Sequence, residues 1–326
     1  MKKALFASTA LVLSAGVAAA DITLSGYGRT ALSYHSDPGD TVSKTHMQSR
    51  VRLNIHATTS SDIGVDFGAR FRIQWDQGDT STGVNPGQIY ATYQGATVQI
   101  GNVYTAFDEA GLIYESEIGL LSRSFGNPLG EYYAYSSKSY GTYSLGEDEG
   151  NRMGLAGIYS VGDLTARVSY VEPNQRLRNL PEGTKEELGV SVDYKWNDLQ
   201  LSAAAVQNGG GYDNNDQYFV GAYYTMPGTD NGIGLNWNDN GDVLWISQEQ
   251  RNLGKSITLY GDYVVAPQTT LSAYIAHNDG EWAAKETDNA FGIGFKYDLG
   301  GAYLAGAVER GYEKETRGDL GVRFNF

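Results

Sequence analysis

Hydrophobic and polar residues alternate along many short stretches of this chain. The stretch SRVRLNIHA (residues 49–57) has apolar residues at every second position, and Arg50 and Arg52 lie between them. Alternate side chains of an extended chain point to opposite faces, so this pattern predicts a β-strand with one apolar and one polar face. The question it raises is which of the two faces meets water.

Sixteen segments of this kind follow one another from Asp21 onward, and no segment with helical periodicity competes with them. The predicted strands cover residues 21–35, 45–57, 63–75, 87–94, 96–101, 151–160, 164–171, 187–196, 199–207, 217–226, 232–238, 256–265, 269–277, 290–299, 302–312 and 318–326. The 24 tyrosines, 42 glycines and only 7 prolines are typical of an all-β chain with many turns.

The connections between these segments alternate in length. Short ones at 160–163, 197–198, 227–231, 266–268 and 300–301 alternate with long polar ones at 36–44, 76–86, 172–186, 239–255 and 278–289. One end of the molecule then has tight turns and the other has long loops, as in outer-membrane barrels, whereas a two-sheet sandwich gives no reason for this sorting. We therefore predict an all-β fold, a 16-stranded antiparallel transmembrane β-barrel with short periplasmic turns and long external loops.

Three consecutive predicted strands direct arginines to one face. These arginines are Arg29, then Arg50 and Arg52, then Arg70 and Arg72, and closure of the barrel would bring Arg323 of the last strand beside Arg29. Acidic residues are nearly absent from this face apart from Asp66, although the chain as a whole is acidic. A soluble sandwich would carry scattered charges of both signs here, so the asymmetry favours a basic wall facing water inside the barrel.

A segment of about fifty residues, 102–150, is far longer than an ordinary loop. Its first part carries four carboxylates interleaved with apolar residues that need a surface to pack on. The carboxylates are Asp108, Glu109, Glu115 and Glu117. We expect this long third loop to fold into the pore and face the arginines across a narrow aqueous constriction. The alternatives are an acidic loop exposed to solvent and an extra hairpin within 132–143.

The first twenty residues have two lysines, an apolar run and the triplet Ala18-Ala19-Ala20, which predicts a cleaved secretory signal peptide at 1–20 rather than a retained anchor. Residues 21–326 then form a single barrel domain with 22 basic and 38 acidic residues, a formal charge of −16. This charge disfavours nucleic acid as a partner. The chain has no cysteine, so disulfides and thiolate chemistry are excluded.

The sequence offers little for catalysis or metal binding. The four histidines stand apart without the spacing of a metal site, and no nucleophile elbow is present. The stretch NWNDNGD (236–242) begins like a calcium loop, but its twelfth position would be Ser247 instead of glutamate. We expect no enzyme activity, and a barrel that merely anchors an enzyme or adhesin ranks below two kinds of channel, a passive diffusion pore and a substrate-specific, for example sugar-selective, channel.

Several stretches together make the chain resemble the trimeric general-diffusion porins of the alphaproteobacterial type, the group of the Rhodopseudomonas blastica and Rhodobacter porins. They are ITLSGYGRTALSY (22–34), SRVRLNI (49–55), FRIQWDQGD (71–79), GNVYTAFD (101–108), IGLNW (233–237), TLYGDY (258–263) and DLGVRFNF (319–326). The resemblance implies sixteen strands, three barrels per assembly and an inward-folded third loop.

The resemblance also implies roles for particular residues. Arg29, Arg50, Arg52 and Arg72 match the basic wall, Arg70 keeps the charge where relatives carry lysine, and Asp108 matches the acidic loop. No cofactor is expected, although members of the family can bind a structural calcium ion near the loop, at residues that the resemblance does not assign here.

The predicted function is therefore an outer-membrane porin, a water-filled channel for passive diffusion of small hydrophilic solutes and ions. Its expected location is the bacterial outer membrane, and its expected partners are a homotrimer of this chain, outer-membrane lipid and lipopolysaccharide. From the charge balance we expect the pore to be weakly cation-selective or nearly non-selective.

Overall fold

The computed structural model describes residues 21–39, 41–79, 82–84, 87–121, 124, 152–180, 182–244, 249–250 and 252–326. The predicted signal peptide at 1–20 and the alternative hairpin at 132–143 lie outside the described residues. The same is true of residues 122–123 and 125–150 of the predicted constriction loop region, 102–150.

Sixteen antiparallel strands form the wall of the molecule, and the predicted boundaries lie within three residues of the observed ones. The strands are β1 (Asp21–His35), β2 (Thr45–Ser60), β3 (Asp66–Asp76), β4 (Gln88–Tyr93), β5 (Ala96–Gly101), β6 (Met153–Val161), β7 (Leu164–Glu172), β8 (Glu187–Trp196), β9 (Leu199–Gln207), β10 (Gln217–Thr225), β11 (Gly232–Asp239), β12 (Lys255–Ala266), β13 (Thr269–Asn278), β14 (Asn289–Asp298), β15 (Ala302–Arg310) and β16 (Thr316–Asn325). The prediction of a 16-stranded antiparallel barrel is confirmed.

The sheet closes on itself because β1 pairs with β2 on one side and with β16 on the other. Every other strand pairs with its two neighbours in the wall, so no strand edge is left open. Three short pieces lie outside this series. They are the two-residue strand Gly83–Val84 beside β3, the small hairpin of Val243–Leu244 with Glu249–Gln250, and a 3₁₀ turn at Gly209–Gly211.

Short turns and long connections alternate around the barrel, as the sequence predicts. The turn between β4 and β5 consists of Gln94 and Gly95 alone, with φ of 47° and 82°. Positive φ at both central residues matches the twist of a two-residue hairpin. Tight turns of this kind close one end of the barrel, and the long connections, including the segment after β5, leave from the other end.

Large apolar side chains cover the outside of the wall. Leu24, Val51 and Phe71 are 50%, 50% and 41% exposed, whereas Phe107 and Leu112 of the segment after β5 are 0% and 1% exposed. Within the described part of the chain, no helix is long and apolar enough to cross a membrane. The hydrophobic core therefore lies inside the wall and is supplied by a connection, not by the strands alone.

Two glycines at the start of β1 make room for the aromatic C-terminus. A Cβ atom at Gly28 would lie 2.5 Å from the ring of Phe324, and one at Gly26 would lie 3.0 Å from the ring of Phe326. Because glycine has no side chain, the two rings lie close to the β1 backbone. The end of the last strand therefore packs closely against the first strand.

Single-cysteine labels test which face of the wall meets lipid, since the chain has no cysteine of its own. We expect spin labels at Val51→Cys and Phe71→Cys to relax with oxygen, which concentrates in lipid. Labels at Asn54→Cys and Gln74→Cys, on the opposite face of the same strands, should relax with a water-soluble nickel chelate. The reverse pattern of accessibility in reconstituted protein would show that the faces are assigned the wrong way round.

Candidate functional site

Six arginines lie together on four neighbouring strands, β16, β1, β2 and β3. We call them the basic wall: Arg323, Arg29, Arg50, Arg52, Arg70 and Arg72. In the pairing register Arg29 lies directly opposite both Arg50 and Arg323. The structure thus brings together all six arginines that the sequence singled out.

In the part of the basic wall formed by β16, β1 and β2, an aromatic ring and a carboxylate lie among the like charges. The guanidinium carbons of Arg323 and Arg52 lie 3.9 and 5.1 Å from the ring centre of Tyr27, within the range of a cation–π contact. Arg50 forms an ion pair with Asp76 at the end of β3. Three neighbouring cations are therefore held in fixed positions although they repel each other.

The second half of the wall is organised around Tyr104. The guanidinium of Arg70 lies 4.4 Å from its ring centre, and Arg72 donates a hydrogen bond of 2.6 Å to its hydroxyl. The Nε of Arg72 also donates to the Oδ1 of Asn54 on β2 at 3.1 Å. Because Tyr104 belongs to the segment that follows β5, these contacts tie the start of that segment to the arginines.

The expectation that this face carries almost no acidic residue apart from Asp66 is wrong. Asp76 lies on the same face of β3 as Arg70, and Asp319 lies on the same face of β16 as Arg323. Asp76 escaped notice because strand three was predicted to end at residue 75. Both carboxylates are engaged within the protein, Asp76 by Arg50 and Asp319 by the segment after β5.

We call residues 102–121 the inserted segment. It forms hydrogen bonds with one side of the barrel near its start: the backbone N–H of Ala106 donates to Ser169 of β7 at 2.8 Å, and that of Gly111 donates to Asp193 of β8 at 2.8 Å. Asn236 of β11 donates to the carbonyl of Leu112 at 3.0 Å.

The end of the inserted segment is held on β16 and β1. The carboxylate of Asp319 accepts the N–H groups of Leu120 and Leu121 at 2.8 and 3.4 Å, and Arg29 donates to the carbonyl of Leu120 at 3.2 Å. A segment of twenty residues can contact strands from β7 to β11 and also β16 and β1 only by running through the bore.

Apolar packing reinforces this path. The buried side chains of the segment fall into three clusters against the inner wall: Phe107, Ala110, Leu112 and Ile113 with Ala204, Val206 and Phe219; Ile118 with Tyr260, Tyr274 and Ala307; and Leu120 with Ala31 and Ala305. Glycines of the wall leave space for them, since a Cβ at Gly292 would lie 2.6 Å from Ile118.

The four carboxylates predicted for the site fall into two places. Asp108 accepts a hydrogen bond from the hydroxyl of Tyr114. Burial, and after it the neighbouring Asp108, raises the pKa of Glu109, while Arg167 and Arg70 act in the opposite direction. Asp108 and Glu109 thus lie close to the Arg70 side of the basic wall.

The remaining two predicted carboxylates lie further along the segment. Partial desolvation, and then the carboxylate of Asp262 on β12, raises the pKa of Glu115. The backbone N–H of Glu117 donates to the carbonyl of Tyr114 at 3.1 Å. Glu115 is therefore near another acid rather than opposite the arginines, which differs from the expectation of one acidic cluster.

Several residues of this site were not anticipated. Arg167 of β7 forms an ion pair with Asp193 of β8, and this Asp193 also accepts the Gly111 N–H. Strand alternation places Arg167 on the same face as Ser169, so the pattern could have identified it. Strand alternation could not show that Asp319 holds the end of the inserted segment, because the two residues that it binds lie 199 and 198 residues away along the chain.

Metal binding has no geometric support in the described part of the chain, where no three His, Cys, Asp or Glu side chains are grouped closely enough to hold an ion. The structural calcium ion suggested by the resemblance stays a prediction.

Comparison with known proteins gives a consistent result. A family model described as Gram-negative porin matches residues 7–319. A curated relative named porin, from Fuscovulum blasticum, is 39% identical over 311 residues, which cover 94% of this chain and 100% of the relative. Among solved structures, a triple mutant of Rhodopseudomonas blastica porin is 37% identical in sequence to this chain and superposes on it with a TM-score of 0.80. A second mutant of that porin is 38% identical and also has a TM-score of 0.80. Each match covers 94% of this chain and 100% of the other.

Replacement of the anchoring carboxylate should loosen the end of the inserted segment. Asp319→Asn keeps the size of the side chain but weakens two hydrogen bonds to a charged acceptor, each worth about 1.5–3 kcal/mol. We expect the amides of Leu120 and Leu121 to exchange with deuterium about tenfold to thirtyfold faster in a folded barrel. Asp66→Asn at the short-turn end is the matched control, and equal exchange rates in both variants would contradict the anchoring role.

Proposed function

This chain belongs to the Gram-negative porin family, and on that basis we propose how its pore is narrowed and which ions it favours. The chain is a β-barrel of the bacterial outer membrane and forms a general diffusion channel for small hydrophilic solutes. Its relatives are channels and not enzymes.

The proposed constriction lies between the basic wall and the first turns of the inserted segment. The observation that carries it is the contact of Arg70 and Arg72 with Tyr104, which fixes the segment only a few residues before Asp108 and Glu109. Opposite charges on facing sides of a narrow aqueous passage create a transverse field that orients dipolar solutes and disfavours apolar ones.

The charge distribution supports a pore that is weakly cation-selective or nearly non-selective. The basic wall is partly neutralised within the protein, because Arg50 is paired with Asp76. Asp108, Glu109 and Glu115 add negative charge along the passage, and the chain without its first twenty residues carries a formal charge of −16. Anions are attracted only at the basic wall itself, whereas the surrounding protein favours cations.

A sugar-specific channel is the second candidate in sequence terms, and the structure gives it little support. Such a channel needs accessible aromatic faces along its path. Tyr260 and Tyr274, two of the tyrosines that face inward, are 4% and 2% exposed because the inserted segment covers them. They serve as packing surfaces for Ile118.

We also propose that the barrel assembles as a homotrimer through the outward face of β1 and β2. Thr30 and Ser49 lie on that face, and their hydroxyls are hydrogen-bonded to each other at 2.9 Å. The outward Gly26 and Gly28 nearby let the rings of Phe324 and Phe326 lie close to the backbone of β1. Small residues and hydroxyls are typical of surfaces where membrane segments pack on protein rather than on lipid.

Neutralising two arginines of the wall tests the proposed constriction. In Arg50→Gln/Arg52→Gln we expect the cation-to-anion permeability ratio to rise about fivefold, because each lost charge removes about 0.5 kcal/mol of attraction for an anion that passes roughly 8 Å away in water, about 1 kcal/mol for the two. Reversal potentials across planar bilayers at low salt measure it. Lys255→Gln/Lys314→Gln removes the same total charge away from the bore, and equal ratios in the two double variants would rule out the arginines as lining residues.

The raised pKa of Glu109 predicts a pH-dependent selectivity. A carboxyl group with a raised pKa takes up its proton at a higher pH than an ordinary glutamate, whose pKa is about 4.3. As the pH is lowered from 7, the constriction should lose a negative charge early, and the cation preference should fall. In Glu109→Gln the early fall should be reduced to the part contributed by Glu115, whose pKa is also raised, whereas Glu281→Gln in an external loop should behave like the original protein. A fall of equal size in Glu109→Gln would assign the titration to another group.

A further inference from the structure

An open groove lies on the outward face of β12 to β15, on the side of the wall that faces away from the bore. Its volume is about 650 Å³, and its outward lining is apolar: Leu259, Ala273, Ile275, Phe291, Ile293 and Val308. Ala273 has the smallest side chain of this set and forms the floor. Ile275, Phe291 and Val308 are 60%, 54% and 58% exposed and form its sides.

One cation lies at the end of this groove nearest the long loops. In the pairing register Leu259, Ile275, Phe291 and Arg310 follow one another across four strands, so Arg310 is level with three apolar side chains. Arg310 is exposed, and within the described part of the chain no hydrogen bond or ion pair engages it. Thr316, opposite Arg310 on β16, also lines this end.

The inward-facing neighbour of Arg310 does not neutralise it. Glu309 points into the barrel, where its carboxylate accepts the hydroxyl of Tyr274 at 2.9 Å and is 3% exposed. The strands carry two outward acids among the described residues, and both are engaged: Glu172 accepts the hydroxyl of Tyr170, and Asp239 accepts the N–H of Gly241. The outer wall therefore offers Arg310 no carboxylate.

We propose that this groove is a lipid site that holds an acyl chain of a phosphorylated glycolipid of the outer leaflet, with the phosphate bound by Arg310. The apolar lining matches the chain, and an arginine at the edge of an apolar band extends its guanidinium toward the interface, where it attracts anionic headgroups. The long loops leave from the same end, which is the external one. The site rests on the outer-membrane location of the barrel and does not depend on the proposed constriction.

The occupant is a lipid rather than a second copy of the chain because of this charge. A second copy would present its own outer wall, whose two described strand acids are already engaged, so Arg310 would be buried without a counter-charge. A phosphate supplies the missing charge and accepts the planar fork of the guanidinium in two parallel hydrogen bonds.

Native mass spectrometry of the detergent-purified protein tests the site. The probes are bisphosphorylated lipid A, a galactosyl diacylglycerol of matched acyl length, which has no phosphate, and the deacylated sugar phosphate of lipid A. We expect lipid A to be retained by the original protein and its affinity to fall about fivefold in Arg310→Gln, in keeping with one interfacial cation. Ala273→Phe should fill the groove and lower the affinity to a similar extent, while Lys255→Gln, which removes another outward cation, should not.

The other outcomes overturn the proposal in distinguishable ways. Unchanged lipid A binding in both Arg310→Gln and Ala273→Phe would exclude the groove. Equal binding of galactosyl diacylglycerol and lipid A would show an acyl site without phosphate recognition, and full competition by the deacylated sugar phosphate would show a headgroup site without the groove. Dissociation of the oligomer by Ala273→Phe would identify a second copy as the occupant. A failed selectivity experiment on Arg50 and Arg52 would leave these results unaffected.

Discussion

The closed backbone pairing of the sixteen strands determines the rest of this structure. Hydrocarbon offers no partner to an N–H or C=O group, so each strand must pair on both sides and the sheet must return to its first strand. The apolar faces then turn outward, and the polar faces surround a bore. A wall of this kind has little interior apolar surface of its own. The inserted segment supplies a large part of it, and Phe107, Leu112 and Ile113 are nearly inaccessible although they belong to a connection.

The strands could be predicted from the sequence because a period of two is local information, whereas the site depends on contacts between distant residues. The arginines of β1, β2 and β3 were recognised as one wall, since strand neighbours in a barrel are also neighbours along the chain. Asp319 was not recognised as an anchor, because nothing in the sequence relates it to Leu120. The two acids missed on the arginine face have different causes: Asp76 lies just beyond the predicted end of strand three, and Asp319 joins this face only through the register between β16 and β1.

The basic wall combines like charges that an ordinary protein surface would disperse. Arg29 lies opposite two other arginines. The protein does not cancel these charges fully with carboxylates, and aromatic rings take part of that role: Tyr27 between Arg52 and Arg323, and Tyr104 beside Arg70. A ring stabilises a cation without removing its charge, whereas Asp76 neutralises the one arginine it pairs with. The wall therefore keeps a field directed into the bore, and that field can act on solutes.

The contrast between the inner arginines and Arg310 shows how the environment of a cation indicates its partner. Inside the barrel, water is present and the strands carry acids and phenols, so each arginine described above has a protein group within reach. On the outside, the apolar band leaves room for few polar groups, and the two outward acids among the described residues are engaged. A guanidinium that stays without a protein partner at such a boundary attracts the anionic headgroups of the membrane. Because phosphate is the anion that interfacial lipid supplies, the same rule that gives the inner arginines protein partners assigns Arg310 to a lipid headgroup.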